Sequence, residues 1–260
     1  MLPPLPPSIH RTFLVMNTRS LLLLLFLALP APLLRATEVD WGSIFGDGQM
    51  YTSSGNLLNN SYTFELGVWA NGFTPTASNV SLWAANWEVI SVAAAPFSNG
   101  WNSLDASDPN VNNPSFNNQY FSQRAFFNAD GTVTGAGSTV FTPGQQVYIW
   151  AFNTQAVTPG TEWALVTSLT STSSSDSVWQ VPQIDSTGLA FPLAWSLDNA
   201  DTAVFGSVYG TSGAGVQNVD PGPGNTLQTY SLSAVPEPGS AVMILVAGLL
   251  LRLRRKPRSA

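Results

Sequence analysis

The sequence predicts an all-β protein, a single β-sandwich or jelly-roll-like domain with one short helix. Segments such as 62–69 and 146–152 are rich in aromatic and β-branched residues, several of which alternate with polar ones. This pattern is typical of half-buried strands. Turn-forming residues separate the segments, for example Thr142-Pro143-Gly144 before a strand candidate. The region 37–234 is long enough to bury one hydrophobic core.

Nine segments carry the strand pattern, five of them strongly. The five strong candidates are 62–69, 146–152, 162–167, 203–209 and 227–232. The weaker candidates are 39–45, 87–92, 120–127 and 178–181. Such short strands, with a turn signal between neighbours, are the pattern of a sandwich.

One short helix is expected after Pro75. Apolar residues recur there at helical spacing: Val80, Trp83, Ala84 and Trp87. Thr76 or Ser78 would serve as the N-cap, because a side-chain hydroxyl can accept a hydrogen bond from a free backbone N–H of the first turn.

The N-terminus has the features of an export signal. Residues 21–29 are apolar and uncharged, Arg19 precedes them, and Ala36 offers a cleavage position. We therefore assign 1–36 as a signal peptide. Its true start is expected at Met16, which would leave a positively charged segment of ordinary length.

The C-terminal segment 235–260 combines three features in a fixed order. An extended, proline-rich motif is followed by the apolar run 239–251 and then by a cationic end. The motif consists of Val235, Pro236, Glu237 and Pro238, and the cationic end contains Arg252, Arg254, Arg255 and Lys256. Cations next to an apolar helix hold that end in the cytoplasm. The 13 apolar residues would span only about 20 Å as a helix, against a hydrocarbon core of about 30 Å, so a transient membrane anchor is predicted.

This tail closely resembles the PEP-CTERM sorting signal of exported bacterial proteins. The resemblance implies recognition by an exosortase near Pro236, Glu237 and Pro238, with Arg252, Arg254 and Arg255 as the cytoplasmic stop. It also implies cleavage, followed by release or transfer to the cell surface. The family is associated with extracellular polysaccharide, which is therefore a candidate partner. The segments 64–67, 72–77 and 83–87 also resemble blocks in other proteins that carry this tail.

The region between the two terminal signals is strongly acidic. Within 37–234 the only cation is Arg124, against 14 acidic residues, which gives a net charge near −13. Binding to nucleic acid requires a basic patch and is excluded as a function class. The charge favours solubility outside the cell, with cation bridging in an acidic polysaccharide as the alternative.

Missing residue types restrict the chemistry further. The only histidine is His10, in the signal peptide, and the chain has no cysteine. Ser-His-Asp and Cys-His catalysis are therefore excluded, as are zinc sites built on histidine or cysteine. No cofactor is expected. Asp105 and Asp108 lie in a loop rich in asparagine and could hold Ca²⁺, although their spacing does not match an EF-hand.

Two further groups of residues are candidates for ligand contact or catalysis. Trp101 lies in a polar loop and is the best candidate among the nine tryptophans for stacking on a sugar; most of the others are expected in the core. Glu65, Glu88 and Glu162 could supply a glycosidase pair. Glu65 is, however, expected to point to solvent, because it alternates with Phe64 and Leu66.

These observations predict an exported, non-catalytic cell-surface or extracellular-matrix protein. Its expected partners are the export machinery and an exosortase, with a membrane-held intermediate before release. A carbohydrate-binding module is the alternative, and a carboxylate-based glycosidase is a weaker one.

Overall fold

A computed structural model describes residues 36–43, 49–104, 119–128, 130–137, 139–170, 178–183, 193–219 and 225–232. These residues form mostly β-strands arranged in sheets, together with one short α-helix. The predicted all-β class is therefore confirmed. The signal peptide up to residue 35 and the whole sorting segment 235–260 lie outside the described residues. Within the described ranges, no helix is both long and apolar enough to cross a bilayer.

The described strands are short and follow one another closely along the chain. They are β1 (Thr37–Gly42), β2 (Gln49–Tyr51), β3 (Thr63–Trp69), β4 (Trp87–Ala94), β5 (Trp101–Asn102), β6 (Tyr120–Phe127), β7 (Tyr148–Phe152), β8 (Glu162–Thr167), β9 (Leu193–Ser196), β10 (Thr202–Phe205), β11 (Ser207–Val208), β12 (Thr211–Ser212), β13 (Asn225–Gln228) and β14 (Tyr230–Ser231). The helix α1 (Trp83–Asn86) follows a 3₁₀ turn at Val80–Leu82.

The strands form three sheets. The first has the order β5-β6-β1-β9, the second β10-β8-β7-β3-β4 with β14 beside β8, and the third β12-β11-β13-β2. Within these sheets the pairs β1–β9 and β13–β2 are parallel, and the others are antiparallel.

One large apolar cluster, here called the inner cluster, draws side chains from all three sheets. It includes Val39 and Phe121 from the first sheet, Phe64 and Ile149 from the second, and Leu227 from the third. Phe64 and Phe121 stack with ring centroids 4.1 Å apart. The sheets are therefore held together by burial of apolar surface, which stabilises the fold without any disulfide.

The second sheet is covered on its other face as well. A second apolar group, here called the tryptophan cluster, is built around Trp69, Trp83, Trp87, Trp150 and Trp163. Four of these residues come from strands of the sheet, and Trp83 comes from α1. Trp83 is fully buried, so the helix acts as a cover for this face of the sheet.

The predicted helix is present but shorter than its periodicity suggested. Trp87 does not belong to the helix, since it is the first residue of β4. Neither Thr76 nor Ser78 is the N-cap: Asn79 precedes the 3₁₀ turn without a side-chain cap, and its Oδ1 accepts from Trp83 Nε1 at 2.9 Å. The hydrogen bond between the side chains of Asn79 and Trp83, together with the burial of Trp83, thus takes the place of an N-cap.

Three strand predictions also need correction. The segment 227–232 is divided at Thr229 between β13 of the third sheet and β14 of the second. The segment 203–209 is divided at Gly206, which has φ +72°, into β10 and β11. A Cβ at Gly206 would lie 2.5 Å from the carbonyl oxygen of Gln228, so the close approach of two backbones requires glycine there. The segment 178–181 forms a single bridge at Gln180 in place of a strand.

Candidate functional site

A cleft with uncharged polar groups lies between two turns at one end of the second sheet. It has a volume of about 430 Å³, within the range of about 300–1,000 Å³ that is usual for ligand sites. Its lining consists of Trp69, Ala70, Asn71, Gly72, Phe73, Thr142, Pro143, Gly144, Gln145, Gln146 and Tyr148. None of these side chains carries a formal charge.

Local turn chemistry positions the two walls of the cleft. One wall leaves β3 through a turn closed by the bond from Phe73 N–H to Ala70 O, 2.9 Å long. The other is the predicted Thr142-Pro143-Gly144 turn, closed by the bond from Gln145 N–H to Thr142 O at 3.0 Å. Gln145 Nε2 donates to Trp69 O at 2.8 Å, and this bond fixes the two walls relative to each other.

Tyr148 is the main polar group of the cleft. Its ring lies 6.3 Å from that of Trp69, and its hydroxyl has no hydrogen-bond partner among the described residues. Burial raises the pKa of Tyr148, so the phenol is neutral at neutral pH and can donate as well as accept. The cleft can therefore hold an uncharged ligand through aromatic contact and hydrogen bonds.

Glu65 is not exposed, which corrects the sequence expectation. It does point away from Phe64 and Leu66, but that side of the sheet carries the tryptophan cluster. Its Oε2 accepts from Trp87 Nε1 at 2.8 Å and from Gln155 Nε2 at 2.9 Å. Burial raises the pKa of Glu65, and these two bonds offset part of that effect.

Glu162 lies on the opposite face of the same sheet. It alternates with Trp163 of the tryptophan cluster and so shares a side with Ala164 and Val166 of the inner cluster. Its carboxylate accepts four hydrogen bonds, from Ser53 N–H at 3.0 Å, Ser53 Oγ at 2.7 Å, Tyr62 OH at 3.1 Å and Thr229 Oγ1 at 2.7 Å. Desolvation raises the pKa of Tyr62, and the charge of Glu162 adds to this.

The candidate glycosidase pair is therefore not formed by Glu65 and Glu162, because the sheet separates them. Glu88 lies on β4 opposite Val68 and is half-buried. In the described part of the chain, no three histidine, cysteine or acidic residues gather where they could hold a metal ion.

The expected sugar-stacking role of Trp101 is wrong. Its ring is fully buried, 4.8 Å from the ring of Phe64, and its Nε1 donates to Asn59 O at 3.1 Å. All nine tryptophans are at most 9 % exposed, so no indole face is available as a platform. Short strand β5 places Trp101 in the core, which its polar flanks in sequence concealed.

The remaining sequence candidates fall outside the described residues. These are the calcium-loop residues Asp105 and Asp108, the sorting motif at 235–238, and the cations Arg252, Arg254, Arg255 and Lys256. Their assigned roles stay predictions.

Arg124 is the single cation between residues 37 and 234, here called the body, and two nearby carboxylates balance its charge. Its guanidinium contacts Glu38 at 3.1 Å and Asp40 at 2.9 Å. Since both acids lie on β1 and Arg124 lies on the paired strand β6, these are cross-strand ion pairs. Arg124 is thus held by two carboxylates and is poorly suited to bind an anionic ligand.

In comparisons with known proteins, no family model, curated protein or solved structure matches the chain.

The cleft residues Phe73, Gln145 and Tyr148 were not anticipated from the sequence. The only signals for them were Gly72 and the Thr142-Pro143-Gly144 turn, which indicate chain reversals but not that two of them face each other.

Proposed function

We propose that the chain is an exported, non-catalytic surface or matrix protein that an exosortase sorts through the tail 235–260. The observation that carries this proposal is the order of the tail: Pro236-Glu237-Pro238, a short apolar run and then a cluster of arginines. The strongly acidic, cysteine-free body supports it, because such a composition suits a soluble extracellular domain.

The proposed architecture of the body is a β-sandwich. The first and second sheets both contribute to the inner cluster, through residues such as Phe121 and Phe64. This sharing supports a two-layer arrangement around one core.

The arrangement of the carboxylates of Glu65 and Glu162 supports a non-catalytic role. Glu65 and Glu162 occupy opposite faces of one sheet and already accept two and four hydrogen bonds. A glycosidase needs two carboxyl groups that flank one substrate, about 5–10 Å apart. The body of 37–234 also has no histidine, cysteine or lysine to act in their place.

The sorting proposal can be tested in the producing cell. Cells would express the full chain, a Pro236→Ala/Glu237→Ala/Pro238→Ala variant, and a control variant with Ser233→Ala just before the motif. The wild type and the control should reach the surface and lose the tail, whereas the motif variant should stay in the membrane fraction uncleaved. Equal surface amounts and equal processing of all three would contradict the proposal.

A second candidate function is binding of a neutral saccharide in the cleft. It is favoured by one observation: an uncharged cleft that combines the half-buried rings of Phe73 and Tyr148 with the unpartnered Tyr148 hydroxyl and the exposed Asn71 amide. A charged ligand would lose hydration there without a compensating charge, whereas sugar hydroxyls can pair with the amide and the phenol.

Titration with a neutral glucan oligosaccharide and with an oligogalacturonate distinguishes these ligand types. Because Trp69 lines the cleft, binding of the glucan should change the tryptophan fluorescence of the full chain, and Tyr148→Ala should weaken it at least about tenfold, or about 1.4 kcal/mol. The control Tyr209→Ala removes an exposed tyrosine elsewhere and should bind normally. No response to the glucan, or preference for the anionic sugar, would exclude this function.

A further inference from the structure

The tryptophan cluster forms a continuous path of aromatic rings. Successive ring centroids lie 4.8 Å apart from Trp69 to Trp87, 5.6 Å from Trp87 to Trp150, 4.9 Å from Trp150 to Trp163 and 5.2 Å from Trp163 to Trp83. Rings this close are in van der Waals contact, so an electron vacancy on one indole can move to its neighbours.

The path reaches the surface at the cleft. Trp69 and Tyr148 both line the cleft, and their rings are 6.3 Å apart. Of the other indoles in the cluster, Trp83, Trp150 and Trp163 are fully buried, and Trp87 is 9 % exposed. A small oxidant in the cleft would therefore withdraw its electron through Trp69 or Tyr148.

The indoles of the cluster differ in what surrounds their N–H groups. Trp83 Nε1 donates to the amide oxygen of Asn79, and Trp163 Nε1 donates to Thr154 O at 2.6 Å. Trp69 Nε1 and Trp150 Nε1 have no hydrogen-bond partner among the residues that the structure describes. Only Trp87, among these five, donates to a carboxylate, Glu65 Oε2 at 2.8 Å.

This difference matters because one-electron oxidation makes an indole N–H strongly acidic. An amide oxygen cannot keep the released proton, whereas a carboxylate can. The donor–acceptor distance of Trp87 and Glu65 lies within the range for direct proton transfer, about 2.6–3.2 Å. Protonation would also remove a buried negative charge, which is favourable in apolar surroundings, and the raised pKa of Glu65 agrees with this.

We propose that the tryptophan cluster reduces one-electron oxidants at the cleft, and that Glu65 takes up the indole proton of Trp87 in the same event. One electron leaves the cluster for the oxidant, which is reduced by one electron. The N–H bond of Trp87 breaks, an O–H bond forms on Glu65, and a neutral indolyl radical remains on Trp87. The oxidants concerned are of the radical or photo-oxidant class that an exported protein meets outside the cell.

Flash photolysis of the full chain tests this assignment. Photogenerated tris(bipyridine)ruthenium(III) serves as the one-electron oxidant, and the absorption bands of the indole radical cation and the neutral indolyl radical are followed over time. The wild type should form the neutral radical directly. In Glu65→Gln the hydrogen bond can be kept but the base is lost, so deprotonation should slow about a hundredfold, the lower end of the effect of a positioned base.

Glu88→Gln is the matched control, because it removes the half-buried carboxylate next in sequence to Trp87 and should behave as the wild type. Trp87→Phe should abolish the early neutral radical while Glu65 remains. An equally fast neutral radical in Glu65→Gln, or an unchanged one in Trp87→Phe, would overturn the proposal.

A measurement on the unmodified chain covers the case in which the variants fail to fold. Electron–nuclear double resonance of the freeze-quenched radical should place the spin on one indolyl nitrogen that accepts a hydrogen bond from an exchangeable proton, the one now carried by Glu65. Spin on a nitrogen without such a proton would equally overturn the proposal.

Discussion

Trp83 and Trp163 stack with ring centroids 5.2 Å apart and an angle of 20° between the ring planes. This pair joins α1 to β8, an inner strand of the second sheet. The helix has only four residues, too few to be stable alone, so its conformation depends on tertiary packing.

Trp83→Ala should therefore destabilise the full chain strongly. Removing a fully buried aromatic side chain leaves a cavity and costs about 3–5 kcal/mol. Urea unfolding followed by circular dichroism measures the change. The matched control is Leu82→Ala, the preceding residue, which is 52 % exposed and should change the free energy of unfolding by less than about 0.5 kcal/mol. Equal effects of the two substitutions would contradict the role given to Trp83.

Alanine substitutions at Gly206 and Gly210 distinguish the energetic cost of backbone strain from that of steric contact. Both have positive φ, +72° and +81°, so alanine at either position costs about 1–2 kcal/mol for the left-handed backbone. A Cβ at Gly206 would also lie 2.5 Å from Gln228 O, whereas a Cβ at Gly210 would have no described atom within 4 Å. Gly206→Ala should thus lower the free energy of unfolding by a further 1–3 kcal/mol, roughly the cost of overpacking. A smaller loss for Gly206→Ala than for Gly210→Ala would contradict the close approach at Gly206.

Asp201 should make stability fall in acid. Desolvation raises its pKa, but hydrogen bonds from the Thr170 and Thr202 hydroxyls and from the N–H groups of Leu169 and Thr170 outweigh this and lower the pKa from 3.8 to about 2. Because the folded pKa is depressed, the stabilisation is present above pH 3.8 and is lost as the pH falls towards about 2.

Asp201→Asn should reduce the loss of folding stability between pH 3.8 and about 2. At neutral pH it should cost about 1 kcal/mol, since the group is only partly buried and solvent weakens its interactions. The control Asp198→Asn changes a nearby carboxylate that accepts from Tyr209 OH. It should leave the fall in stability between about pH 4 and pH 2 in place. These limits are about the pKa values of Asp201 in the unfolded and folded states. The same acid slope in Asp201→Asn as in the wild type would exclude Asp201 as its source.

Glu65 should affect the pH dependence of stability in the opposite direction to Asp201. Burial raises its pKa in the folded state, so the folded state binds the proton more tightly than the unfolded state. Its contribution to stability is full below the unfolded pKa, and it is lost as the pH rises through the folded pKa. Thermal unfolding from acidic to neutral pH should show this loss in the wild type. Glu65→Gln cannot titrate and should lack it, so an identical pH dependence would show that Glu65 is not buried as described.

Much of the strand pattern could be predicted from the sequence, because alternation in segments such as 63–69 reports which residues share a face. Alternation cannot report what covers each face. Glu65 was correctly separated from Phe64 and Leu66, yet the face it shares is buried under α1, and its expected exposure was wrong. Whether a sheet is covered on one side or both depends on residues far away in the chain, here Trp83.

The cleft was beyond prediction for a related reason. Its walls come from 69–73 and 142–148, and each was recognisable only as a turn or strand end. Their proximity follows from the pairing of β3 with β7, a non-local contact that one sequence does not encode visibly. Trp101 illustrates the converse, because polar neighbours in sequence did not prevent its burial.

The place of Arg124 on β6, beside Glu38 and Asp40 of β1, also bears on digestion of the protein by proteases. A trypsin-like protease cuts after arginine or lysine, and between residues 37 and 234 Arg124 offers the single such bond. That bond lies inside β6, whose backbone is paired with β1, so a protease cannot draw it into an extended conformation without first opening the sheet. We therefore expect this whole class of enzymes to cut the region 37–234 slowly as long as the sheet stays closed.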